Sequence, residues 1–555
     1  MIDLSLIDWL ILLIFIGFII GMGFYLKKFT RNDEDFFLAG RRNSMWVAGI
    51  AFMSANMGAM EVIGYAGNAM KYGIHCAHFY LIGAIPAMVF LGVFMMPFYY
   101  SGRIKSIPGY LKERFDEKTR VLNAFIFSIM MVLVSGISLY LLAMIMEAML
   151  GWPWHLSVWV AAALVALYVS MAGLISAIFT EVVQFFLIWA GILILPVLGF
   201  IEISPAEVWQ GLESISWGHV HLWASTGDPG LNPMQMTWMA MIFGMGMTIA
   251  FGYWTTDFLI IQRAFSARDL RSARMTPIIG TYFKMLLGLV VVSIGIITLV
   301  LMQDEGTGMR ALLTDAAGEI QYDKALPIMM SRYFPPGMIG LGITAIVAML
   351  MAGQAGNMSA FTAVWTYDIY HAVFNREASP QRLLRMGRIA TIAGLGLAVA
   401  GAYIARSMPT VIDYLQAIAS MVLAPGVAII LLGMFWKRLT PDGAFWGMLI
   451  GCLASFGMFM MQQLNIVEPA FFTPVDGAGF MAANFWRGLW AWLIAGGLGI
   501  LISLFTTPRS DEELKGLVWS LTERKRDEGM AWYRTVEFWA IVTMAIFFIV
   551  NILLW

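Results

Sequence analysis

The chain alternates long apolar runs with short polar loops, and it does so about fourteen times. A helix that crosses a bilayer needs roughly 20 mostly apolar residues. The runs of that kind are 8–26, 45–69, 77–100, 122–148, 157–176, 179–201, 237–262, 275–302, 338–368, 386–406, 411–434, 442–463, 485–506 and 536–554. They predict an all-α polytopic membrane protein. The longest polar stretches, about 203–236, 303–337 and 507–535, are too short to hold a soluble enzyme domain. The first run carries Asp8 at its start and no small-residue cleavage site after it, so it reads as a retained helix and not a signal peptide.

The sparse charge sharpens this picture. Of 555 residues, 60% are hydrophobic and 12% charged, about half the charge of a soluble protein. Disordered chains, nucleic-acid binders and secreted disulfide scaffolds are excluded on that ground. Cys76 and Cys452 sit in apolar surroundings and form no metal spacing. Of the 34 Lys and Arg residues, 27 fall in loops on one side of the predicted spans and six on the other, among them Lys71 and Arg487. Basic loops stay in the cytoplasm, which predicts an inner or plasma membrane protein with both termini outside. Lys284 alone falls inside a span.

Ionisable groups at membrane depth are costly and default to functional roles. Glu61, Glu181, Asp257 and Lys284 are the deep ones; Glu147, just before Gly151-Trp152-Pro153, reads as structural or interfacial. An Asp257–Lys284 pair is the bland alternative to a site. His75 and His78 are three apart, with no further ligands near enough in sequence to make a metal site. The second span is crowded at its centre by Ser54, Ala55, Asn56, Gly58, Ala59 and Glu61, and the seventh is interrupted at Thr255-Thr256-Asp257. Each opens a block of five spans. Five is odd, so the blocks point in opposite directions, and paired broken helices mark an inverted-repeat transporter.

The strings DFFLAGRRNSMW, SANMGAMEVIG, IPGYLKERF, AGLISAIFTEVVQ, YWTTDFLIIQR, TYFKM, TYDIY, YLQAIASMVLAPG and FWKRLTPDGAFWG follow in order between about Asp35 and Gly451. In this the chain resembles the sodium:solute symporter family, nearest its sodium/glucose cotransporter branch. The resemblance implies a LeuT-like five-plus-five inverted repeat with flanking helices. Its divisions fall at 1–44 (flanking helix and loop), 45–202 (first repeat), 203–236 (outer loop), 237–434 (second repeat) and 435–555 (C-terminal flanking helices). It implies symport of a sugar or polyol with sodium, no other cofactor, and no enzyme activity. Alternatives of the same fold are proton-coupled or uncoupled transport, or another solute such as sialic acid or an amino acid.

The family's sugar-contact positions fall on Asn56, Glu61, Phe79, Tyr80, Asp257, Lys284 and Gln416. Glu61 departs from a neutral or imidazole group, Phe258 from glutamine, and Tyr80 from a carboxylate in part of the family. The sodium ligands fall on the carbonyls of Ser54, Met57 and Met349, and on two hydroxyl positions. Those positions are Ala352 and Gly353, which have no hydroxyl. Glu181, where the family has aspartate, is the candidate to restore a ligand or to carry a proton.

Overall fold

The computed structural model describes residues 4–26, 42–101, 107–169, 174–223, 231–315, 317–408, 410–474, 478–522 and 531–555. No strands occur among them. The main rods are α1 (Leu6–Leu26), α2 (Met45–Asn56), α3 (Tyr65–Tyr72), α4 (Glu117–Leu150), α5 (Trp154–Val169), α6 (Leu174–Ile192), α7 (Phe251–Thr256) and α8 (Phe258–Phe265). They continue with α9 (Leu270–Gln303), α10 (Met338–Ala363), α11 (Pro380–Arg406), α12 (Val411–Phe435), α13 (Pro441–Gln463), α14 (Phe480–Phe505) and α15 (Val536–Leu553). Ten helical segments are long and apolar enough to cross a bilayer among the described residues. The chain is a multi-pass membrane protein.

Helix ends sit where short polar side chains can take up free amides. Asp116 accepts from the Thr119 amide at 2.8 Å and opens α4. Thr410 accepts from the Asp413 amide at 3.1 Å and opens α12. Gly151 ends α4 with φ +66°, a left-handed cap that suits glycine. This places Glu147 in the last turn of α4. One cap is supplied by another helix. Asp8 of α1 accepts from the amides of Gly337 and Gly340 at 2.8 and 2.6 Å, fastening α1 to the start of α10.

Inside a membrane, helices associate through close packing and small residues. A Cβ on Gly295 of α9 would lie 2.4 Å from the Ala66 carbonyl and the Ala69 Cβ of α3. That contact holds α9 against α3, and the same helix also packs on α2. Lys284, a little before the middle of α9, therefore lies opposite the gap between α2 and α3.

The charge count grouped Arg487 with the outer-side basic residues, although it lies within the predicted 485–506 run. The structure corrects this: α14 begins at Phe480, and Arg487 sits in its second turn with 0% of its surface exposed. Its guanidinium is held by the oxygens of Ser420 (3.1 Å), Gln462 (2.8 Å) and Asn484. These neutral acceptors make the buried position tenable.

Candidate functional site

Two helices break at the centre of the bundle. After Asn56 the backbone turns at Met57, whose amide donates to Met53 (2.8 Å) and Ser54 (3.1 Å). The Glu61 amide then donates to Gly58 at 2.9 Å, a short step that passes over the Met57 carbonyl. A π-helical turn, Met60–Gly64, leads into α3. π-turns widen a helix locally and recur at functional sites. The second break is at Asp257, extended at φ −71°, ψ 117°. Its carboxylate accepts from the Leu259 amide at 2.9 Å, so one residue ends α7 and caps α8.

The breaks are joined directly. Asn56 Nδ2 donates to the Tyr253 hydroxyl at 2.7 Å, one turn before Asp257. Asn56 Oδ1 accepts from Lys284 Nζ at 2.8 Å. Lys284 Nζ also donates to Glu61 Oε1, closing a buried ion pair. The ammonium lies 5.0 Å from the Tyr80 ring centre and 5.4 Å from that of Trp254. The buried pair is thus Lys284 with Glu61 and not Lys284 with Asp257.

A cavity of about 110 Å³ lies between the breaks. Asn56, Glu61, Asp257, Lys284, Phe79 and Gln416 all line it. That is six of the seven sugar-site positions. Tyr80 stands behind, with its ring against Lys284 and packed on Gly288, where a Cβ would lie 2.6 Å from Cγ. The Gln416 side-chain carbonyl is buried and has no hydrogen-bond partner. An unpaired acceptor in a cavity invites a donor from a ligand. Aromatic walls come from Phe79, Tyr65, Tyr253 and Trp254; Tyr65 and Phe79 have ring centres 4.9 Å apart. Tyr253, Trp254, Tyr65 and Asn357 were not expected at the site. Only the pairing of Tyr253 with the break one turn later could have flagged any of them.

Of the sodium-site positions, Met349 and Gly353 line the cavity, and Ser54 and Met57 lie buried beside it in α2 and its break. The side chains of Glu181, Ala352 and Phe258 lie outside what the structure describes. His75 and His78 are buried with ring centres 6.1 Å apart, and His78 Nε2 lies 2.6 Å from the Leu222 carbonyl.

Beyond Glu61, α3 and α12 are tied together. Lys71 of α3 pairs with Asp413 of α12 at 3.2 Å, and Thr410 donates to Asn68 at 3.2 Å. A Cβ on Gly64 would lie 2.8 Å from Val411 and Ile412. At the other end of the bundle, Arg120 of α4 binds Asp368 beyond α10 through Nε at 2.8 Å.

Broken helices facing one another across a small, mostly apolar cavity with a few convergent polar groups define a membrane carrier of small solutes. The sodium:solute symporter family matches residues 36–451, and the chain belongs to it. It is a transporter and not an enzyme. The chain is 27% identical to human sodium/glucose cotransporter 4, covering 92% of this chain and 78% of that one. It is 26% identical to the Vibrio parahaemolyticus sodium/glucose cotransporter (85% and 88%) and to rabbit sodium/myo-inositol cotransporter 2 (92% and 78%). A sodium-coupled sialic acid symporter, solved substrate-bound and outward-open, superposes with a TM-score of 0.74 at 18% identity, covering 92% of this chain and 99% of that one. The fold is LeuT-like.

Proposed function

We propose that the protein is a sodium-driven symporter for a neutral polyhydroxylated solute, a sugar or polyol, working by alternating access. The observation that carries this is the meeting of Asn56, Glu61, Asp257, Lys284 and Gln416 in one cavity between two helix breaks. A sugar needs convergent donors and acceptors in a dry pocket, with an aromatic face for its apolar side. Lys284 donates; Glu61, Asp257 and the unpaired Gln416 carbonyl accept hydroxyl protons; Phe79 and Trp254 cover the ring. Three of the relatives named above carry glucose or myo-inositol in their names, which supports the solute class.

Sodium enters as the driving substrate at the Met57 carbonyl, with Ser54 and Met349. Hard cations want several oxygens, and two hydroxyls are missing at Ala352 and Gly353. That absence favours a second reading, in which Glu181 carries a proton or the carrier runs uncoupled. The basic loops orient Arg114 and Arg120 to the cytoplasm, so the end tied by Lys71 and Asp413 faces outward, as do both termini.

Uptake into proteoliposomes tests both. Labelled sugars and polyols should accumulate under an inward sodium gradient and not under a choline or pH gradient. Accumulation with the pH gradient alone, abolished by Glu181→Gln, would instead establish proton coupling.

A further inference from the structure

Among the described residues, Lys284 is the only cation lining the cavity, and two of its three N–H donors are already engaged. These meet Glu61 Oε1 and Asn56 Oδ1. The remaining side of the ammonium lies over the Tyr80 and Trp254 rings, at 5.0 and 5.4 Å. Asn56 cannot turn away without losing its 2.7 Å bond to Tyr253. The ammonium therefore meets an incoming anion with its charge already neutralised by Glu61. A solute carboxylate would either share that ammonium with Glu61, setting two anions side by side, or displace Glu61. Displacement leaves Glu61 as a buried, unpaired anion, with Asp257 a second carboxylate lining the same cavity. A hydroxyl group faces no such conflict. It can donate to a Glu61 oxygen and accept a shared ammonium proton, with the ion pair kept intact.

We propose that Glu61 is the charge-selectivity residue of this carrier: by neutralising Lys284 it admits neutral polyols and rejects the corresponding acids. The inference rests on the solute class proposed above and on the same cavity. It predicts what a single substitution does. Glu61→Gln keeps the side-chain length and an acceptor for Lys284 but leaves the ammonium uncompensated. The cavity then attracts the carboxylates it formerly excluded.

The test uses purified full-length protein in detergent with matched neutral and acidic probes. These are glucose and glucuronate, and galactose and galacturonate, each at saturating sodium, read by thermal shift in detergent and by competition for uptake after reconstitution into proteoliposomes. In the unaltered protein the neutral member of the bound pair should win by about tenfold or more, the scale of one charge-assisted contact. Glu61→Gln should bring the acidic member to equality or preference, and Glu61→Asp should keep the rejection. Equal binding of both members by the unaltered protein overturns the proposal even if Glu61→Gln fails to fold. So does an unchanged ratio in a folded Glu61→Gln protein. If the unaltered protein binds acids and no neutral polyol, the solute class fails together with the proposal. Neutral binding without discrimination overturns the role of Glu61 alone.

Discussion

Two of the buried cations, Lys284 and Arg487, are held in opposite ways. Lys284, 3% exposed, has a carboxylate partner, an amide partner and a cavity in front of it. Arg487, fully buried, has three neutral oxygens, the Phe459 ring at 5.1 Å, and no carboxylate pairing among the described residues. A planar guanidinium delocalises its charge and can be satisfied by several neutral acceptors in fixed directions. A compact ammonium needs a nearby anion or water. The Arg487 cluster ties α14 to α12 and α13 and lines no part of the central cavity. The Lys284 cluster bridges two breaks and borders a cavity. Burial of a charge therefore does not mark a site in this chain; a buried charge beside open volume does.

The largest expected effect breaks the comparison at its functional end. Lys284→Ala should lower solute uptake by about 100-fold or more, because it strands Glu61 and removes the pocket's only cationic donor. Proteoliposome uptake against a correctly folded control checks this. The double variant Lys284→Met with Glu61→Gln should melt higher than Lys284→Ala yet still fail to transport. Recovery of transport would show that the pair is structural.

Arg487→Met probes the other end. It leaves Ser420, Gln462 and Asn484 without their donor, and each stranded buried group costs about 1–3 kcal/mol. The melting temperature should fall by several degrees while sodium-dependent solute affinity changes far less. A normal melting curve with lost solute binding would reverse the two roles.

Tyr253→Phe is a milder cut. It removes the acceptor for Asn56 at a cost of about 1 kcal/mol, so solute affinity should fall by about fivefold. Titration of uptake against solute concentration measures it.

A change confined to pH dependence concerns the contact between α3 and α12, where Lys71 is partly exposed and faces Asp413. Burial pushes the neighbouring Asp323 carboxyl up to about 7. A carboxyl raised on folding binds more protons in the folded state, so its contribution fades as pH rises from about 4 through 7. Asp323→Asn should flatten that part of the stability–pH profile, as thermal melts across the range will show.

Much of this was legible along the chain. Both breaks were visible because small and polar residues cluster at 54–61 and 255–257, where an intact span would be apolar. Lys284 stood out because it was the one basic residue that fit neither face. The aromatic wall was not legible. Tyr65, Tyr253 and Trp254 look like any packing residue in a chain that is 14% aromatic. Arg487 was misplaced because a count of basic residues by side takes no account of burial, and the predicted run began at 485, five residues after the helix does. The π-turns at Met60–Gly64 and Ala240–Ala250 were invisible too, since they alter backbone pairing and not composition.

The Asn56–Tyr253 bond has one more consequence. It spans the two halves of the inverted repeat, so α2 and α7 cannot part while it holds. An empty carrier that reverses direction must break it or move both helices as one piece. A solute that hydrogen-bonds to Asn56 and Tyr253 in place of each other would remove that link at the moment of loading. The bond then acts as a brake on slippage, and weakening it should show up first as uncoupled leak of the driving ion.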